Sequence, residues 1–278
     1  MRLVIKIAGA LLEDENTVHA LAAQISQLSA QHQLLVIHGG GRIFTATLGR
    51  MGIESRFVAG LRVTDRETRD AAVMVFAGLL GKRLAAAISA AGQPAIGICA
   101  ADSLCFPAEP MTLDAEASNL GYVGYLTGVN ATFLESLWQA GIVPVAASLG
   151  VGTDGELLNV NADHMAAACA EFLAADQLIY LTDVAGVLDG GKVVPEVSVD
   201  WVEELIRTHR VTGGMVLKLE ACRRAMEGGV QEILIVGGST PGALVAAADT
   251  GHCGTRITAA PAERTEITAA RFAAGGQA

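Results

Sequence analysis

Two lysines and two glycine turns are the parts of this chain best suited to chemistry. Lysine is scarce: of 19 basic residues only four are lysine, Lys6, Lys82, Lys192 and Lys218, and the rest are arginine. Two of the four fall in segments where an element boundary is marked by glycine punctuation. Lys6 lies in Val4-Ile5-Lys6-Ile7-Ala8-Gly9-Ala10, and Lys218 closes Thr212-Gly213-Gly214-Met215-Val216-Leu217-Lys218. An ammonium is a compact point charge that suits a phosphoryl oxygen. A second turn, Leu35-Val36-Ile37-His38-Gly39-Gly40-Gly41, also runs from an apolar stretch into glycine and then into amphipathic spacing. Such turns aim backbone N–H groups and a helix N-terminus at one point, which suits an anion. Two of them facing each other would clamp one phosphoryl group from both sides. Taken singly, each lysine also reads as a surface charge at the edge of an element; the glycine turns beside them point to phosphoryl chemistry.

To place these residues, strands must end at the glycines and helices must follow. Strand-like runs fall at 3–7, 34–37, 95–99, 143–147, 177–181 and 232–236. Helical spacing falls at 17–31, 42–51, 131–140, 165–173, 199–208 and 215–227, with a long helical region over 66–91 broken near 78–81. Residues 55–63 read as an extended excursion or hairpin, and 102–129 as irregular with short β pieces. Alternating βα units imply α/β architecture: a mainly parallel sheet covered on both faces. Ligands of such sheets bind beyond the carboxyl ends of the strands, where these glycines fall.

Composition narrows the function. At 278 residues and 51% apolar content the chain can bury a large core in one domain or two lobes. A net charge of −10 argues against nucleic acid or an acidic membrane surface as partner. Five cysteines in no metal-binding spacing read as reduced thiols, with a cytoplasmic location expected. Lys6 and Glu13-Asp14-Glu15 break the pattern of a signal peptide. No apolar stretch is expected to reach the roughly 18 residues of a membrane span. Gly150-Val151-Gly152-Thr153-Asp154-Gly155 matches G-x-G-x-x-G, but Asp154-Gly155 leads into β-like residues, so a hairpin is expected rather than a dinucleotide site.

Four further segments complete a pattern: Gly60-Leu61-Arg62-Val63-Thr64-Asp65, Asn159-Val160-Asn161-Ala162-Asp163, Tyr180-Leu181-Thr182-Asp183-Val184-Ala185-Gly186-Val187, and the Thr-Gly-Gly-Met…Lys stretch. Together with the glycine turns, over roughly residues 2–258, they resemble the acetylglutamate kinases of the amino acid kinase family. That resemblance implies a three-layer αβα sandwich around an open, mainly parallel sheet. It also implies transfer of the ATP γ-phosphoryl to the side-chain carboxylate of N-acetyl-L-glutamate, a step of arginine biosynthesis. By the same resemblance, Lys6 and Lys218 neutralise the moving phosphoryl group, Gly9 and Gly40 donate N–H bonds to it, and Asp163 holds the lysines. Arg62 and Asn159 bind the amino-acid substrate, with Gly40 and Gly41 lining its pocket. Lys6, Gly9, Thr182, Asp183, Gly186, Gly213, Gly214, Met215 and Lys218 face the nucleotide. Mg²⁺ rides on the ATP phosphates, with no protein metal cage. A carboxylate nucleophile is already ionised, so no general base is needed, and Asp163 reads as organiser of the lysines rather than proton acceptor.

The resemblance also implies a division into an amino-acid-binding and dimerising lobe over 1–175, a nucleotide lobe over 176–260 and a peripheral tail over 261–278, assembled as a homodimer. Arginine-inhibited relatives carry an extra helix before the first strand. Here that strand begins by Leu3, so little inhibition by arginine is expected. Plainer readings stand beside these. Arg62 also suits a hairpin surface, His38 a structural strand end and Thr182-Asp183 a simple turn. Asn159, Asn161 and Asp163 suit the cap of a helix opening near His164. The family's Lys-x-Gly-Gly turn reads Lys6-Ile7-Ala8-Gly9 here. If position 8 requires positive φ, alanine is unfavourable and nucleotide binding suffers. Ala100-Ala101-Asp102-Ser103 also lacks the glycines usual in that loop. Rival substrates within the family are N-succinylglutamate, an aminoadipate derivative, carbamate and aspartate. A weakly catalytic nucleotide- or arginine-sensing protein is the rival of another class.

Overall fold

Strand β1 (Arg2–Ile7) is buried on both faces, and its side chains alternate between two cores. Leu3, Ile5 and Ile7 face one core, while Val4 faces the other. Period-two alternation therefore sends Lys6 to the Val4 side. The computed structural model describes residues 1–112, 120–211, 213–251 and 253–259; the tail from Pro261 and Thr212 lie outside them.

The main sheet adds β2 (Gln33–His38), β5 (Ala95–Ile98), β8 (Val143–Ala147), β11 (Gln177–Thr182), β14 (Glu196–Ser198), β15 (Glu232–Gly237) and β16 (Thr255–Thr258). Its order is β14-β16-β15-β11-β1-β2-β8-β5, parallel throughout except between β15 and β16. One face is covered by α1 (Glu15–Ser29), α4 (Gly81–Ala90) and α9 (Ala243–Thr250), the other by α5 (Ala131–Gln139), α6 (Ala162–Phe172), α7 (Val199–Arg207) and α8 (Gly214–Glu227). The result is the expected three-layer α/β sandwich. A second, four-stranded sheet, β6 (Ala108–Pro110), β7 (Val123–Leu126), β10 (Leu157–Val160) and β9 (Leu149–Val151), stands over one end of the first. Strands β9 and β10 pair antiparallel, so the glycine-rich 150–155 segment is the expected hairpin.

Helix α2 (Gly41–Arg50) follows β2, and a two-residue-strand hairpin, β3 (Phe57–Val58) and β4 (Leu61–Arg62), follows α2. The region over 66–91 differs from expectation. Instead of breaking near Gly78, α3 (Arg66–Ala72) passes through a π-helical stretch, Val73–Leu80, into α4 without interruption. The wider π turn keeps Phe76 and Leu80 on the buried side. Helix Arg66–Ala90 is also long and apolar enough, by length and composition, to cross a membrane, contrary to the expectation from the sequence. Lys82 and Arg83 interrupt the run, but the alanines and leucines around them outweigh two charges. Half of its apolar window is buried, with Val75, Phe76, Leu84 and Ile88 in the cores, so it serves as a core helix here.

Candidate active site

Strand β1 and helices α6 and α8 bring the charged residues together. Lys6 leaves β1 toward α6 and α8. Asp163 stands in the first turn of α6, and Lys218 in the second turn of α8. Each lysine Nζ lies 2.8 Å from the same carboxylate oxygen, Oδ1 of Asp163. Asn161 caps α6, its Oδ1 accepting from the N–H groups of Asp163 and His164 at 2.9 and 3.1 Å. The cap reading thus holds for Asn161, while Asn159 and Asp163 are left free for other work. Tyr180, beside Lys6 in the sheet register, donates its hydroxyl to the Asp163 carbonyl at 3.0 Å. Its ring lies 4.6 Å from Lys218 Nζ. Sequence reasoning missed Tyr180, although its placement two residues before Thr182 on an apolar strand marks an anomalously polar core position.

Burial sets the electrostatics. It pushes the Lys6 ammonium down to about 8, with Lys218 adding repulsion and Asp163 opposing. Burial alone would raise the Asp163 carboxyl. The two lysines outweigh it and hold that group well below the usual carboxylate range.

The two glycine turns meet. A Cβ on Gly9 would come within 2.7 Å of the Gly40 Cα, and one on Gly40 would collide with Leu80. Both positions therefore require glycine for close approach. Among the described residues, neither the Gly9 nor the Gly40 N–H donates to a carbonyl or side chain, as expected at helix starts. Ala8 has φ −67° and ψ 141°, an extended conformation that alanine adopts freely. The missing glycine therefore introduces no strain.

The amino-acid side of the cavity is built around Arg62 at the end of the β3–β4 hairpin. Its guanidinium donates to the hydroxyls of Ser55 and Thr45 at 2.5 and 2.8 Å. It is stacked 4.8 Å from the Phe44 ring and 4.6 Å from Phe57. It is 9% exposed, yet no carboxylate pairs with it among the described residues. Burial lowers its affinity for its proton. Asn159 donates to the Thr64 hydroxyl at 3.0 Å, which in turn donates to the Arg62 carbonyl at 2.8 Å. Ser55, Thr45 and the two phenylalanines carried no sequence signal, being ordinary residues whose role depends on proximity.

Lys6, Gly9, Gly40, Gly41, Arg62, Asn159 and Asp163 line one cavity of about 220 Å³, and Lys218 adjoins it through Asp163. A larger, open depression of about 600 Å³ lies at the other end of the strands, around Arg2, Gln33 and Trp138, and contains none of these residues. The remaining nucleotide candidates lie outside the cavity. Thr182 ends β11, next to β1, and Asp183 follows it, 3.7 Å from Arg42 of α2. Gly213 and Gly214 open α8, Gly213 at φ +58°, and Met215 packs partly into the core. Gly186 is needed for packing: a Cβ there would come within 2.6 Å of the Thr255 hydroxyl.

A strand-end cavity with paired lysines, on this sheet order, defines a phosphotransferase class, and comparison bears this out. The Amino acid kinase family profile matches residues 1–237, and the chain belongs to that family. It is 48% identical over 238 residues to the acetylglutamate kinase of Koribacter versatilis (strain Ellin345), covering 85% of this chain and 90% of that protein. The acetylglutamate kinase of Methanopyrus kandleri is 45% identical over 238 residues, covering 84% and 93%. Among solved structures, smu.665 from Streptococcus mutans UA159 superposes with a TM-score of 0.79 at 30% identity, covering 93% of this chain and 99% of that one.

Proposed function

We propose that this chain is an ATP-dependent acetylglutamate kinase. One observation carries the reading. Lys6 and Lys218 share one Asp163 oxygen at 2.8 Å each, beside a cavity whose far wall holds Arg62 with no carboxylate partner among the described residues. That arrangement suits a substrate with two carboxylates, one gripped by Arg62 and one directed at the lysines. A side-chain carboxylate oxygen forms a bond to the γ-phosphorus of ATP. The bond from that phosphorus to the β–γ bridging oxygen breaks, and ADP leaves with the electron pair. The product is N-acetyl-L-glutamyl 5-phosphate.

Such transfer depends on positioning and charge neutralisation. Lys6 and Lys218 offset charge on the phosphoryl oxygens from two sides. The free N–H groups of Gly9 and Gly40 supply further donors. Asp163 aims both lysines through one shared oxygen. Asn159 and Gly41 complete the amino-acid pocket. Thr182, Asp183, Gly186, Gly213, Gly214 and Met215 border the nucleotide. Mg²⁺ carried on the ATP phosphates would neutralise part of their charge. We place amino-acid binding in residues 1–175 and nucleotide binding in 176–260. Met74 and Leu79, exposed on the 66–90 helix, support pairing of two chains through the first lobe. A hydroxamate assay for acyl phosphate, with N-acetylglutamate, N-succinylglutamate and aspartate side by side, tests the reading. Turnover with N-acetylglutamate is expected to dominate; robust turnover of another acceptor with none on N-acetylglutamate would overturn it.

A further inference from the structure

His38 ends β2 immediately before the Gly39–Gly40 turn, and its ring is fully buried. Its Nδ1 lies 3.1 Å from the carbonyl oxygen of Gly39. A carbonyl only accepts, so Nδ1 carries the proton and Nε2 is the accepting nitrogen. Nε2 has no hydrogen-bond partner. It faces Gly81, where a Cβ would come within 3.3 Å of it and 3.1 Å of the Phe76 carbonyl oxygen. The ring is therefore wedged between the end of β2 and the start of α4. Burial pushes its pKa down to about 4, so it stays neutral across the working pH range.

In a trans peptide unit the C=O and N–H point in opposite directions, and no cis peptide occurs among the described residues. The carbonyl that His38 holds belongs to the Gly39–Gly40 unit, whose N–H is that of Gly40. Turning the carbonyl toward the buried ring turns this N–H the other way, toward the cavity that Gly9, Gly40 and Lys6 line. A peptide between two glycines has little steric barrier of its own to reorientation. The restraint has to come from outside the turn.

We propose that His38 is a positioning residue for phosphoryl transfer: its Nδ1–H holds the Gly39–Gly40 peptide so that the Gly40 N–H faces the transferred group. This rests on Gly40 being a phosphoryl donor. It separates stability from catalysis. His38→Phe keeps much of the ring volume, deletes the donor and removes the unpartnered Nε2. Its Tm should be at or above that of the wild type, while kcat falls roughly 10–100-fold and both KM values stay within about threefold. His38→Asn and His38→Leu form a second pair with the same number of side-chain heavy atoms and the same branching at Cγ, with an N–H donor near the Nδ1 position only in the asparagine. Asn should exceed Leu in kcat by about tenfold, whatever both lose in stability. Full kcat in His38→Phe, or equal kcat in the Asn and Leu variants, would overturn the proposal. Lys6→Ala is the control. If it loses turnover while the His38 variants do not, only the His38 link fails. If it retains turnover, the phosphoryl site itself is misassigned and the proposal falls with it.

Discussion

The cavity holds buried cations at two ends, and they are neutralised in different ways. Lys6 and Lys218 share Asp163 within the protein. Arg62 has hydroxyls, the Gly41 carbonyl and aromatic faces around it, and no carboxylate among the described residues. Arg69, in the neighbouring helix α3, shows that this is not how the fold treats buried arginine in general. Its exposure is 8% against 9% for Arg62, and it is stacked 4.5 Å from Tyr122, yet it pairs with both Asp70 and Glu156. Burying an unpaired charge is costly. Stacked rings and hydroxyls offset part of that cost at Arg62, and a substrate carboxylate offsets more. The phosphoryl end is assembled in advance, and the amino-acid end is completed by its ligand.

Removing the internal counter-ion gives the largest expected effect. Asp163→Ala leaves two ammonium groups buried side by side, and breaking such a pair costs about 3–5 kcal/mol. Denaturant unfolding should show a loss of that order, and turnover should be abolished. A variant that folds normally and turns over would mean that the lysines need no organiser. Next come Lys6→Ala and Lys218→Ala, expected to lower kcat by about two to three orders of magnitude, as for loss of one transition-state donor. Steady-state rates above a third of wild type would remove that lysine from the mechanism.

Arg62→Ala sharpens the contrast between the two ends. It should raise KM for N-acetylglutamate roughly 10–100-fold, the worth of a charge-assisted hydrogen-bonded pair, and leave KM for ATP nearly alone. Arg69→Ala, which removes a structural ion pair, should lower Tm without that selectivity. Equal rises in both KM values for Arg62→Ala would make it structural too.

The smallest effect is the pH dependence. Lys6 must be charged to neutralise a phosphoryl group, and burial brings its pKa down to about 8. The kcat/KM for ATP, which reports the free enzyme, should therefore fall as pH rises through about 8. Its linkage to stability has the opposite direction. Because the folded value lies below the ordinary 10.5, the charged lysine weakens folding most below about pH 8, and that penalty is relieved between 8 and 10.5. Asp163, held low by the lysines, contributes stability above the ordinary carboxylate range that is lost as pH falls through its lowered value. A kcat/KM profile flat to pH 9.5 would show that Lys6 is not the titrating group.

Much of the site was legible because its signals are local. Glycine after an apolar run, a lysine three residues before it and a second lysine in a Gly-Gly-led helix can be read along the chain. The cluster of asparagines before Asp163 was equally legible, although its dual reading as a cap separated only when Asn161 alone took that role. The 66–91 region is helical as read; only the break near 78–81 is absent, because a glycine looks like a break in one dimension, whereas packing of Phe76 and Leu80 carries the helix through as a π stretch. The doubt over Ala8 also resolved only in three dimensions, since a φ angle is not written in residue type.

By itself the sequence determined the α/β layering and the strand-end glycines, because both follow from short-period patterns and backbone sterics. The resemblance implied that Asp163 holds the two lysines; only the tertiary structure decided that they share one of its oxygens, that Gly9 touches Gly40, and that Arg62 is enclosed by Phe44, Phe57, Ser55 and Thr45. Those partners come from different elements. Their distances are set by how helices and strands pack across the sheet, which no local pattern encodes.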